Sequence, residues 1–492
     1  MKTLYITLLT VIYSYSQIND TLVIKNATFQ DIGFNDQTNN FEIVFTTDDS
    51  FKYPYIVSID SNNIIIDEPQ KISSLGGAFW PVLDIRNGVI ASAWGYVNMS
   101  WNNWILGSVM NDERELIYQS EIINFDSRDY IRGAPDISFI NDSLFFVCWS
   151  QLNQADQEVS LRGKVLNIYE YGNYWQQQDK YLSDILYVSG GSIRVDIRDD
   201  HEYFPISWSV SLDSYNYGLY GRIFDKDITP ISNVFPIGTD TVKYTNGELL
   251  MVDSTSFLNC FVKYTTMASD KGNIFLTKVG FDGVIESTII VNDQLIENSF
   301  IDVSMSVNAN GYIIIVWDSN DDIIIRRQIM GQRFDPGLSR IGDNFIIAPA
   351  ESGKTSIGPK VVLINNRVVV SYTYSISGNE PSDLVVKMFD FDNPVSIEEK
   401  QSKSPIYFTL RQNYPNPFNL STSIQYAVSR RQFVSLKVYD VLGNEVAVLA
   451  NEYKTAGTYT VEFNANGFTS GVYFYQLRAG EFIETRKMIL LR

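Results

Sequence analysis

A single histidine, His201, sets the first limit on what chemistry this chain can perform. Ser-His-Asp and Cys-His nucleophile arrangements and multi-histidine zinc sites have no second imidazole to draw on. His201 lies in Arg198-Asp199-Asp200-His201-Glu202, a polar turn before the run ending at Trp208, where a solvated side chain is expected. No Gly-rich phosphate loop and no Ser-x-Asp-x-Gly-x-Thr-Trp box occurs. Carboxylates, by contrast, are abundant: 57 Asp plus Glu stand against 38 Lys plus Arg, a formal net charge of −19. Paired carboxylates acting on a glycosidic bond are therefore one available chemistry, with a geometry that sequence does not display. Asp318, Asp321 and Asp322 form a short acidic loop in which Asp318 and Asp321 offer oxygen ligands to calcium. That loop lacks the alternating ligands and turn glycine of a dedicated site, so a solvated face is the expectation. No catalytic residue, resident metal or other cofactor is assigned.

Recognition is the other chemistry on offer. Gly95-Tyr96-Val97-Asn98-Met99-Ser100-Trp101-Asn102-Asn103-Trp104 and Asp213-Ser214-Tyr215-Asn216-Tyr217 mix aromatic platforms with amides. Such loops suit stacking on sugar rings or gripping polypeptide, which makes Trp101, Trp104, Tyr215 and Tyr217 the candidate ligand-binding residues. The alternative is that these rings fold back to cap the structure that carries them. A polyanionic surface repels phosphate backbones, so nucleic acid is not an expected partner.

The elements that must position these loops repeat. An apolar run ending in an aromatic is followed by a polar loop and a second run closing on Asp or Asn. The aromatics are Phe45, Trp94, Trp149, Trp208, Phe261, Trp317 and Tyr372; the closing residues are Asp60, Asn111, Asn167, Asp225, Asp282, Asp335 and Asp390, at intervals of 51 to 58 residues. About four strand-like segments per cycle and a period near 55 match propeller blades rather than helical solenoids. Aromatics at 14% and charged residues at only 19% also favour strands. An all-β chain with a seven-bladed β-propeller over 17–395 is expected. Each aromatic should fill the wedge between adjacent blades, and each Asx should serve its own turn. Cys148 and Cys260 precede markers two blades apart, beyond the roughly 7 Å reach of a disulfide, so both should be buried free thiols. Thr21–Ile24 precedes the first repeat and is expected to pair near Val385–Phe389, joining first and last blades.

Met1-Lys2-Thr3, the apolar run Leu4–Tyr13 and the small-x-small Ser14-Tyr15-Ser16 read as a signal peptide over 1–16, and no other window is long and apolar enough to be a transmembrane segment. Composition shifts after a polar linker at 396–406: residues 405–492 carry a net +3, with closely spaced alternating runs that read as a β-sandwich. Within it stand Tyr414-Pro415-Asn416-Pro417-Phe418-Asn419, then Lys437-Val438-Tyr439-Asp440-Val441-Leu442-Gly443, then Gly471-Val472-Tyr473-Phe474-Tyr475, and finally Lys487-Met488-Ile489-Leu490-Leu491-Arg492. In this order they resemble the type IX secretion (Por system) C-terminal sorting domain, type A, over 407–492. Tyr414, Pro415, Asn416, Pro417, Phe418, Asn419, Gly443, Gly471 and Lys487 carry the likeness, and Leu420 departs from it where proline usually stands. The resemblance implies an immunoglobulin-like sandwich, a bacterial source of the Bacteroidetes type, and handling by the type IX machinery, with release or attachment at the cell surface. The combined expectation is an exported, non-catalytic binding or cell-surface protein whose propeller takes a glycan or protein. An extracellular carbohydrate-active hydrolase with paired carboxylates is the competing reading.

Overall fold

The computed structural model describes residues 15–18, 21–97, 103–111, 113–123, 130–131, 134–152, 159–169, 179–183, 189–198, 200–211, 217–240, 242–266, 271–297, 301–320, 327–351, 354–376, 382–394, 409–410, 413, 416–428, 432–454, 457–480 and 482–491. They are organised in two compact units, 1–396 and 397–492. Strand is the only regular element among the described residues.

The first unit contains seven antiparallel sheets among the described residues, one per sequence repeat. In the sixth blade the order from the axis outward is Val303–Val307, Ile313–Asn320, Arg327–Phe334 and Arg340–Ala348. The other inner strands are Ala27–Asn35, Ala78–Arg86, Asp136–Phe139, Ser189–Val195, Tyr244–Met251 and Lys354–Ile364. Second strands read as nearly continuous apolar runs because neighbouring blades cover both of their faces. Ile313–Asn320 is buried at seven consecutive positions. Outer strands alternate instead, and Ile285–Ile290 is exposed at every other residue or more.

Seven hydrophobic clusters account for seven seams. Every marker aromatic sits in the cluster shared with the preceding blade: Trp94 with Val44 and Ile56, Trp149 with Ile105, Trp208 with Phe146, Phe261 with Leu219, Trp317 with Leu258, Tyr372 with Ile314, and Phe45 with Leu384. The four tryptophans are at most 1% exposed. Replacing one by alanine would cost about 3–5 kcal/mol, because rigid blades do not collapse into the void. The closing Asx residues serve their own turns in six blades. Asp225, for example, accepts from the backbone N–H groups of Asp227 (3.0 Å) and Thr229 (2.8 Å). Similar bonds are made by Asp60, Asn111, Asn167, Asp282 and Asp335, whereas Asp390 pairs with Arg367 at 3.2 Å.

The ring closes through its N-terminus. Thr21–Ile24 pairs antiparallel with Asp383–Asp390, in the register Thr21↔Lys387, Leu22↔Val386, Val23↔Val385 and Ile24↔Leu384. It is the fourth strand of the seventh blade. Tyr15–Ile18 adds a fifth, paired with Thr21–Ile24, while residues 1–14 of the expected signal peptide lie outside the described residues. Cys148 and Cys260 are buried free thiols.

The second unit is a sandwich of two sheets, with strand orders Thr409–Leu410, Ser421–Val428, Gly457–Asn464 and Glu445–Lys454, Gln432–Tyr439, Gly471–Ala479, Phe482–Leu490. Its core draws on residues 410–490 alone, centred on Ile424, Leu436, Tyr475 and Met488.

Two sequence expectations are corrected. Asp318 is fully buried rather than solvated. The second strand continues three residues past Trp317 and carries Asp318 into the blade interior, where Arg327 reaches it at 3.2 Å and the Asp302 N–H donates to it at 3.0 Å. Asp321 and Asp322 lie outside the described residues. His201 is also tucked in, its side chain 12% exposed with Nδ1 3.1 Å from the Asp200 carboxylate.

Candidate functional site

Inner strands converge on the propeller axis, so each blade contributes side chains to one channel. In the second blade Ala78 lies opposite Tyr96 and Val97 opposite Asn103, which puts the start of the inner strand beside the loop joining second and third strands. The fourth blade repeats this with Ser189 opposite Ser211 and Ser211 opposite Tyr217. The channel mouth and the ends of these second and third strands therefore lie on one face.

Inner strands of the first, second, fourth, fifth and seventh blades are bulged near this mouth, at Thr28/Gln30, Phe79/Val82, Gly190/Ile193, Asn246/Glu248 and Ile357/Lys360. A bulge adds one residue and re-aims the next side chain. Here it directs Arg194, Glu248 and Lys360 into the channel. Lys360 Nζ lies 3.1 Å from Glu248 and 3.8 Å from Asp31; Arg194 Nε lies 3.6 Å from Glu248 and donates to the Gly247 carbonyl at 2.5 Å. Lys360 of the seventh blade thus reaches Glu248 of the fifth, past the sixth blade between them. The mouth holds a cup of about 380 Å³, lined by Gln30, Asp136, Arg194, Asp302, Lys360 and Thr373.

Around the channel, acidic side chains stitch one blade to the next. Asp31 accepts from the Leu83 N–H (3.1 Å), Asp84 from Phe139 (2.7 Å), Asp136 from Val195 (2.8 Å) and Asp196 from Met251 (2.7 Å), each donor lying on the following inner strand. Ser304 receives Val361 at 3.3 Å, and Gln30 Nε2 joins the first blade to the seventh by donating to the Gly358 carbonyl at 2.7 Å. Removal from water pushes these carboxyls up: Asp84 to about 6 and Asp136 to about 7, the latter partly restrained by Arg194, with Asp31 and Asp196 raised as well. Burial and the neighbouring Asp302 push Asp318 to about 8 against the pull of Arg327.

These shifts fix a pH dependence. A carboxyl whose folded value lies above its unfolded one holds its proton more tightly when folded, so its contribution is fully present below the unfolded value and is lost as pH rises through the folded one. The propeller melting temperature is therefore expected to fall from about pH 5 to about pH 8.5, and Asp318→Asn should flatten the upper part of that fall. A melting temperature that climbs over this interval would contradict the buried ring.

The rim of the cup carries Phe29 and Trp80, both lining it and 37% and 40% exposed. Both take positive φ, +45° and +52°. Bulky residues seldom occupy this region, and where they do the strain is commonly tied to function. Of the four loop aromatics, Trp104 is half-buried and stacked on Tyr96 at 5.6 Å and 15°. Tyr217 begins the third strand of the fourth blade, and Trp101 and Tyr215 lie outside the described residues. A larger hollow of about 620 Å³ at the opposite end is lined by hairpin turns of the fifth and sixth blades, and its Lys278 is tied to Glu286 at 2.8 Å.

The sequence did hold a signal for the acidic ring. Asp31-Ile32, Asp84-Ile85, Asp136-Ile137, Asp196-Ile197 and Asp302-Val303 recur in five of the seven blades, in step with the aromatics. Phe29 and Trp80 had no such signal.

In the second unit, Asn416 Oδ1 accepts from the Ile489 N–H at 2.9 Å, and Phe418 is buried with backbone bonds to Ile489 and Leu491. The Asn-Pro-Phe turn is thereby fastened to the last strand. Leu420 has φ +64°, closed to proline, whose ring holds φ near −65°. Gly443, at φ +84°, completes the Asp440–Asn444 turn. Asn419, Gly471 and Lys487 are exposed, while Tyr414 and Pro415 lie outside the described residues.

Comparison with known proteins assigns this unit. Residues 412–491 match the family model described as a secretion system C-terminal sorting domain. The chain is accordingly a secreted, cell-surface-delivered protein handled by the type IX secretion machinery. No curated protein matches the chain. Among solved structures it is similar to a GH93 α-L-arabinofuranosidase of Fusarium graminearum in complex with arabinobiose (9% identity, TM-score 0.45, covering 65% of this chain and 94% of that one). It is also similar to an arginine-to-alanine mutant of AofleA from Arthrobotrys oligospora (8%, 0.42, 67% and 88%) and to a glycosyl hydrolase from Bacteroides ovatus (11%, 0.32, 66% and 87%).

Proposed function

We propose that this surface-delivered protein is a saccharide-binding propeller whose site is the cup at the channel mouth. The observation that carries the reading is the strained, exposed pair Phe29 and Trp80 standing over a polar floor. Aromatic faces stack on the C–H faces of sugar rings, and Gln30, Thr373 and the charged floor supply donors and acceptors for hydroxyl groups. Residues 1–16 serve as the export leader, 17–395 as the binding domain and 396–406 as the linker to the sorting domain.

Retardation of the full mature chain in gels containing immobilised polysaccharide tests this. Trp80→Ala and Phe29→Ala should each weaken binding about tenfold or more with unchanged melting temperature. Undiminished retardation of both variants would overturn the assignment. A second reading rests on Asp136, whose carboxyl is pushed up to about 7 by burial and lies in the same cup as Asp302, the direction of shift a general acid requires. Asp136→Asn would then abolish hydrolysis of a bound polysaccharide. Binding without turnover is favoured because the Asp136 carboxylate already serves the Val195 N–H.

A further inference from the structure

Resting on that reading, we infer that the ligand is a neutral, linear polysaccharide lying outward from the cup across the seam of the first and second blades, rather than a single sugar. Lys52, on the turn between the second and third strands of the first blade, is a third bulky residue at positive φ (+49°), and its ammonium lies 5.3 Å from the Phe29 ring centroid. Phe51 beside it is 57% exposed and stacks on Tyr53 at 5.8 Å and 19°, with Lys71 Nζ 3.2 Å from the Tyr53 centroid. The turn is rigid. Asp49 Oδ1 accepts from the N–H groups of Phe51 and Lys52, both at 2.8 Å, and from the Thr47 hydroxyl at 3.0 Å.

The same turn is bonded to the second blade, with Gly77 N–H donating to Phe51 O and Ala78 N–H to Lys52 O. A Cβ on Gly77 would lie 2.3 Å from the Val97 carbonyl oxygen, and its φ is +97°, so glycine is required for this close passage. Trp80 follows three residues on, about 10 Å of extended chain away. An aromatic platform at the cup and another outside it, on a ledge pre-ordered before any ligand arrives, suit a chain of several rings.

Charge selects the neutral class. Lys360 is compensated by Glu248 and Asp31, Arg194 by Glu248, and Lys52 by Asp48 at 3.7 Å, which leaves Lys71, seated over the Tyr53 ring, as the one cation of the four without a carboxylate partner among the described residues. The chain's net −19 opposes polyanions further.

The test uses the full mature chain against xylan, mannan, arabinan and β-glucan, with pectate and alginate as anionic probes, followed by an oligosaccharide length series of whichever polymer retards it. A neutral polymer should retard the protein, and its hexasaccharide should bind about tenfold more tightly than its disaccharide. Phe51→Ala should erase that gain while leaving disaccharide affinity unchanged, whereas Trp80→Ala should weaken both. Equal affinity for short and long oligomers, or no effect of Phe51→Ala, overturns the extended-chain inference and leaves the cup intact. Retardation by pectate or alginate alone overturns the neutral assignment. Retardation by none of the six overturns both the inference and the saccharide reading on which it rests.

Discussion

Truncation before Tyr407 is expected to abolish surface delivery completely while leaving a folded propeller in the periplasm. The reason is the separation of cores. The seven seam clusters use residues from Leu22 to Phe391, and the sandwich core uses Leu410 to Leu490, with no residue in common. Losing the sandwich therefore removes no apolar partner from any blade, and the truncated chain should keep the melting temperature of the propeller. Cell fractionation with surface protease accessibility reads the outcome. A truncated chain digested at the cell surface as readily as the full one would show that delivery does not depend on residues 407–492.

Removing residues 17–25 should have the second large effect. Leu22 and Ile24, each 1% exposed, leave the seam of the first and last blades, and Asp383–Asp390 becomes an open edge. Two deleted aliphatic side chains at about 2–5 kcal/mol each predict a melting temperature lower by roughly 10 °C. The double variant Leu22→Ala/Ile24→Ala, which keeps the backbone ladder, should lose less than the deletion. A deletion that melts with the full chain would mean that this strand does not close the ring.

Trp94, Trp149, Trp208 and Trp317 announced the blades because a strand covered on both faces must be apolar throughout and needs one large ring where the wedge between blades widens. The sorting motifs were legible for another reason: Asn416 and Phe418 are fixed by local bonds to the final strand, so their spacing is tied to backbone geometry. The cup was not legible. Glu248 and Lys360 meet only because bulges turn both toward an axis that no local pattern defines, and of the channel carboxylates only the recurring Asp-Ile pairs leave a trace in the sequence. Asp318 misled because its neighbours Asp321 and Asp322 made it look like part of a solvated loop. Phe29 and Trp80 stand out only through backbone torsions.

The use of an N-terminal strand to finish the last blade also governs timing. Lys25 bonds to Asp383 across 358 residues of sequence, so this part of the fold has the longest contact order in the molecule's first unit. The first strand to emerge from the export channel is thus the last to find its partner, and six blades must wait in an unclosed arc until the seventh arrives. During that interval the arc presents two raw edges to every other chain in transit. Closure is therefore the step at which an unfinished propeller is most open to pairing with another chain, and the N-terminal strand ends that exposure.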